Sequence, residues 1–124
     1  MDRNLGKTVP ARLTALGWQL HLVADEFPND GQQTPDEEWG EHALVRGWVP
    51  LCKDGRIRGR DRERQPVERL AGVLFYLDNQ SLRIEEMVQR IHQAQAQINR
   101  AVKRGGPAIY AIKNDGIGKV WPDA

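Results

Sequence analysis

The sequence predicts an α/β fold: a mainly parallel sheet flanked by helices, closed at its C-terminal end by a β-hairpin. Three observations predict it. Strand-like and helix-like periodicities alternate along the 124 residues, the pattern that builds a parallel sheet with helical crossovers. Residues 73–77, VLFYL, form an unbroken apolar run of the kind a strand buried on both faces needs. Two short apolar runs, 108–112 and 117–121, flank Asn114-Asp115-Gly116, a strong hairpin signal.

Taken in order, Val9, Leu13 and Leu16 recur at helical spacing, with Pro10 in the first turn and Gly17 just past the end, so the first element is a helix. Trp18 to Ala24 alternates and is rich in apolar residues, which predicts a strand closing at Asp25. A polar loop follows, carrying Pro28 and the turn residues Asn29-Asp30-Gly31. Thr34, Pro35 and Glu37 then mark a helix start with a capping box. Trp39, Ala43 and Leu44 supply its buried stripe and Gly47 its stop. Trp48 to Cys52 reads as a buried strand, to which Pro50 is a mild objection because proline donates nothing to a ladder.

Arg60 to Leu70 suits a short helix that Pro66 restricts to a start near Gln65 or to a kink. After the 73–77 strand, Ser81 is the expected cap of the longest helix. Glu85 and Glu86 lie early in it and Lys103-Arg104 late, as the helix dipole favours. Its expected inward stripe is Ile84, Met87, Val88, Ile91, Ile98 and Val102, with Gly105-Gly106 as the stop.

A chain of this length is one domain, 1–124. The balance of 18 basic and 17 acidic residues, net +1, excludes a general basic nucleic-acid coat, so any contact with nucleic acid is local. Arginine crowds the interval from Arg56 to Arg69. The single cysteine, Cys52, excludes an internal disulfide and any zinc site built on cysteine pairs. No apolar run reaches the roughly 20 residues of a membrane span, and the Met-Asp-Arg-Asn start is no signal peptide. The expected setting is soluble and cytoplasmic.

Ligands of open α/β sheets gather beyond the carboxyl ends of the strands. Asp2, Asp25, Asp54 and Asp78 each stand at such an end, joined by Asp36 and Glu38 at a helix start. Asp2, Asp36 with Glu38, and Asp54 come from separate elements, as converging ligands must. Hard oxygen donors suit magnesium or manganese. Two such ions about 4 Å apart activate water and stabilise a leaving oxygen in phosphodiester hydrolysis. The bland reading of residues 36–38 is an acidic first turn that complements the helix dipole. Arg56, Arg58 and Arg60 recur at every second position after Asp54, so in an extended segment they share a side and suit RNA phosphates. A solvated basic turn is the alternative.

Three motifs in order, Asp2-Arg3-Asn4-Leu5-Gly6, Asp36-Glu37-Glu38-Trp39 and Lys53-Asp54-Gly55-Arg56-Ile57-Arg58, resemble the PIN-like domain of VapC-type toxins. The match runs from residue 2 to about 78, and more loosely to the terminal hairpin. The resemblance implies a three-layer α/β/α sandwich and a magnesium- or manganese-dependent endoribonuclease, the toxin of a type II toxin–antitoxin pair. Asp2, Asp36, Glu38 and Asp54 would then be the catalytic metal ligands. It also implies a cognate antitoxin, expected to be a helix-turn-helix protein, and admits a homodimer. Two departures stand out. Only Met1 precedes Asp2, where the family has a full central strand, so either the native chain starts upstream or that strand is shortened. Pro50-Leu51-Cys52 replaces an aliphatic strand that usually ends in threonine, removing a hydroxyl beside the acidic set.

The competing readings are a catalytically inactive PIN-like protein- or RNA-binding module and a response-regulator-like domain with a phosphorylated aspartate. The latter wants a hydroxyl after residues 73–77 that the sequence lacks, although Lys113 is present.

Overall fold

A computed structural model describes residues 8–20, 36–52, 61–78 and 81–122, with residues 36–40 and 61–63 described in their backbone alone. Three helices precede the central strands: α1 (Thr8–Ala15), α2 (Asp36–Val45) and α3 (Asp61–Arg69). Each stops on a residue with positive φ, Gly17 at 98°, Gly47 at 75° and Ala71 at 51°. The same pair of hydrogen bonds closes every one. Trp18 N–H donates to the Leu13 carbonyl at 3.1 Å and Gly17 to Thr14 at 3.0 Å; Trp48 donates to Ala43 at 2.9 Å and Gly47 to Leu44 at 3.0 Å; Gly72 donates to Val67 at 2.9 Å and Ala71 to Glu68 at 3.4 Å. This pattern satisfies the carbonyls that a helix leaves open at its end. Glycine enters the left-handed region freely, whereas Ala71 does so at a cost of roughly 1–2 kcal/mol.

The sheet has the order β1-β2-β3-β4, where β1 is Leu51–Cys52, β2 Val73–Leu77, β3 Ala108–Lys113 and β4 Gly116–Trp121. The first three strands are parallel and β4 is antiparallel to β3. Between β2 and β3 run α4 (Ile84–Gln93) and α5 (Gln95–Arg104). Every residue of β2 is buried, as expected for a strand covered on both sides. Its alternate side chains divide between two cores. Val73, Phe75 and Leu77 join Tyr110 and Ile112 of β3, Val9 and Leu13 of α1, and Met87, Ile91, Ile98 and Ala101 of α4 and α5. Leu74 and Tyr76 join Cys52, Ile109, Ala111, Val67 of α3 and Leu44 of α2. Two helical layers therefore sandwich the sheet, the α/β/α arrangement with a C-terminal hairpin that the sequence predicts. The Phe75 and Tyr110 rings stack across β2 and β3, with centroids 5.3 Å apart.

Several details depart from the expectations. The strand expected at 48–52 is reduced to Leu51–Cys52. Pro50 is buried beside it and accepts from Phe75 N–H at 3.0 Å, which uses the one ladder group proline retains. Residues 18–20 are not in a strand, and 21–24, with His21, lie outside the described residues, as do Asp25 and the loop to residue 35. Instead, Trp18 Nε1–H donates to His92 Nδ1 at 3.1 Å and ties the end of α1 to α4.

The third helix starts at Asp61, not near Gln65, and carries Pro66 inside it. The missing N–H removes one bond from the second turn, while Pro66 and Val67 are both buried against the sheet. The longest helix is divided at Ala94, whose N–H is shared between the Arg90 and Ile91 carbonyls, both at 3.2 Å. Its cap is Arg83 rather than Ser81, and Arg83 N–H donates to Glu86 Oε1 at 3.1 Å. Ile84 and Val102 are exposed, and Ala94 and Ala101 take their places in the buried stripe. Met87, Ile91, Ala94, Ile98 and Ala101 keep alternating four- and three-residue steps, so the break does not rotate the apolar face.

Candidate functional site at the carboxyl edge

Chain direction places the ends of three helices at one edge of the sheet. The end of α2 leads directly into β1, that of α3 into β2 and that of α5 into β3. The starts of α2 and α3 are therefore directed toward the opposite edge, where the parallel strands finish. Lengths agree, since a ten-residue helix rises about 15 Å and a five-residue strand about 16 Å. Asp36, the first residue of α2, accordingly belongs to the edge at which β1, β2 and β3 end. This is also the edge where open α/β sheets place their ligands.

Cys52 pairs with Tyr76 at the end of the β1–β2 ladder, and Asp78 follows Tyr76 by two positions. Asp78 N–H donates to the Ile112 carbonyl at 3.4 Å, which fixes its backbone beside the end of β3. Its carboxylate accepts from Arg90 Nη1 at 3.1 Å. Lys113, exposed at the end of β3, lies over Gly118 of β4, where an added Cβ would meet its Nζ at 3.0 Å.

Of the residues expected to hold metal or phosphate, Asp2, Asp54, Arg56, Arg58 and Arg60 lie outside the described residues, as do the side chains of Asp36 and Glu38. Among the described residues no group of three His, Cys, Asp or Glu side chains forms a metal site. The expected donors are all carboxylates, and hard oxygen donors are what magnesium or manganese takes. Among the described residues no helix is long and apolar enough to cross a membrane.

Arg90 is the residue of this edge that sequence reasoning missed. It lies between the buried positions Met87 and Ile91, and a cation on the flank of an apolar stripe was the available signal.

A family described as a PIN like domain matches residues 1–79, more than half of the chain. Among curated proteins, “Putative ribonuclease VapC45” of Mycobacterium tuberculosis (strain ATCC 25618 / H37Rv) is 29% identical over 122 residues, 97% of this chain and 88% of its own. No solved structure matches significantly.

Proposed function

The chain belongs to the PIN-like domain family, and on that premise we propose that it is a VapC-type endoribonuclease, the toxin of a type II toxin–antitoxin pair. The observation that carries the reading is a likeness to a protein named as a ribonuclease that extends over 97% of the chain. The start of α2 at Asp36, directed toward the edge where the parallel strands finish, supports it, because hydrolysis of a phosphodiester needs charge held in place before the reaction.

In this reading Asp2, Asp36, Glu38 and Asp54 hold magnesium or manganese. The metal, when bound, supplies a water of lowered pKa and neutralises charge on the leaving oxygen. The carboxylates would hold the ion in place, and their distribution over separate elements lets them converge on it. Arg56, Arg58 and Arg60 grip neighbouring phosphates, fixing the register of the RNA without reading its bases. The partners are an RNA substrate and a cognate helix-turn-helix antitoxin, the compartment is the cytoplasm, and a homodimer is compatible with the reading.

Asp54→Asn tests it, since the change keeps the shape and removes one charged ligand. With several kcal/mol of transition-state stabilisation at stake, cleavage of a labelled RNA in manganese should fall roughly 10²–10³-fold, while the far-UV circular dichroism is unchanged. Cleavage at the wild-type rate by the variant sinks the assignment of Asp54. A wild-type chain that cuts no RNA in either metal supports the inactive binding module instead.

A further inference from the structure

Ion pairs among the described residues are of two kinds. Arg12–Glu85, at 3.3 Å, leaves 49% and 72% of its side chains exposed, and Arg69–Glu41 is also exposed; pairs of this sort contribute little. Arg90–Asp78 leaves only 17% and 35% exposed, so it lies at the boundary between core and water. Its position differs as well, because Asp78 directly follows β2, the strand that β1 and β3 flank in the sheet.

Side chains on a helix lean toward its N-terminus, and α4 begins seven residues after β2 ends. Arg90 therefore reaches back from α4 to the carboxyl edge, where its Nη1 meets Asp78. The contact is single rather than forked: one guanidinium nitrogen donates to one carboxylate oxygen. A guanidinium carries five N–H donors. Those beyond this bond have no further partner among the described residues. An arginine aimed by a carboxylate, with donors that no other described residue takes up, has the geometry that takes a phosphate oxygen.

We infer that Arg90 is a further phosphate contact for the RNA strand at the carboxyl edge, and that Asp78 is the positioning residue that aims it. The inference rests on the ribonuclease reading and adds to it a residue from the far helical layer, opposite α2 and α3. Arg90 fixes the path of the strand, and the acidic set acts on it.

The test measures binding of a fluorescein-labelled single-stranded oligoribonucleotide to the full chain across a salt series, with calcium in place of magnesium, alongside cleavage in manganese. Arg90→Met should weaken binding about tenfold or more, as expected for a lost charge-assisted hydrogen bond. It should also flatten the slope of log K against log salt by about 0.7, the share of one phosphate contact on a single strand. Arg90→Lys should keep the slope and lose part of the affinity, and Asp78→Asn should weaken binding by a smaller factor with the slope unchanged. A purely structural role leaves the salt slope alone. Wild-type affinity and slope in Arg90→Met, beside a wild type that binds and cleaves, overturns the assignment of Arg90 and leaves the ribonuclease reading standing. A wild type that neither binds nor cleaves removes both. If Arg90→Met fails to fold, Arg90→Lys and Asp78→Asn decide, and wild-type binding by Asp78→Asn overturns the role given to the pair.

Discussion

On one face of the sheet α1, α4 and α5 cover a cluster of fifteen buried residues, whereas on the other α2 and α3 cover six, counted among the described residues. The fuller face is aliphatic and continuous, with the Phe75–Tyr110 stack at its centre. The thinner face supplements its packing with polar and close contacts. Arg64 lies over the Trp121 ring at 5.5 Å, Arg69 pairs with Glu41 across α3 and α2, and Leu44 presses on Gly72. The contrast teaches where the scaffold ends and the adjustable part begins. Stability scales with buried apolar area, and among the described residues α2 shares less of it than the helices opposite. Substitutions under α2 should therefore displace that helix before they unfold the sheet.

The sharpest way to break this comparison is to empty each face in turn. Phe75 is 1% exposed, and Phe75→Ala should cost about 3–5 kcal/mol in urea unfolding, transfer and cavity terms together. Val67, fully buried on the thinner face, should cost about 1.6 kcal/mol when cut to alanine, from two methyl groups at about 0.8 kcal/mol each. Equal losses at the two positions would show that the faces share the load evenly.

A smaller effect is expected where the strands enter the sheet. A Cβ on Gly106 would stand 1.9 Å from the Gly72 carbonyl oxygen, whereas one on Gly72 would meet the tip of Leu44 at 2.3 Å. Backbone cannot step aside as a leucine methyl can. Gly106→Ala should lose about 1–3 kcal/mol, as overpacking does, and Gly72→Ala distinctly less. The reverse order in melting temperature would mean that Leu44 is wedged in place and the thinner face is tighter than described.

The smallest effect has the opposite sign. Ala71 holds the left-handed conformation that Gly17 and Gly47 hold at the other two helix ends. Ala71→Gly should stabilise the protein by up to about 1 kcal/mol, less than the strain relieved because glycine also loosens the unfolded chain. A loss of stability would show that the Ala71 methyl packs usefully where α3 turns into β2.

Much of this architecture is legible in the sequence because its signals are local. Gly17 and Gly47 announce helix ends by the conformation they permit, VLFYL announces a strand covered on both sides, and Asn-Asp-Gly announces the hairpin. What is not legible depends on partners far along the chain. Pro66 stays inside α3 because Val67 beside it is buried against the sheet, a tertiary gain that overrides a local penalty. The first choice of cap, Ser81, yields to Arg83 because Leu82 is drawn into the core and the helix can start only after it. At the candidate site, spacing names acidic positions, of which the described residues fix the Asp36 backbone at the start of α2. Arg90 escaped because an arginine beside an apolar stripe looks like any solvated helix residue until β2 brings Asp78 to it.

The order of the elements along the chain also sets a schedule. β2 is paired on one side with β1 and on the other with β3, and the fuller core takes most of its helical residues from positions 82–101. Residues 1–79 alone thus leave β2 without its longest ladder and α1 without the helix it packs against. At a synthesis rate of about 5–20 residues per second, the remaining 43 positions to Pro122 take roughly 2–9 seconds. Through that interval Val9 and Leu13 lack the α4 and α5 residues with which they share a core. β2 gains its second neighbour only when β3, residues 108–113, has been made.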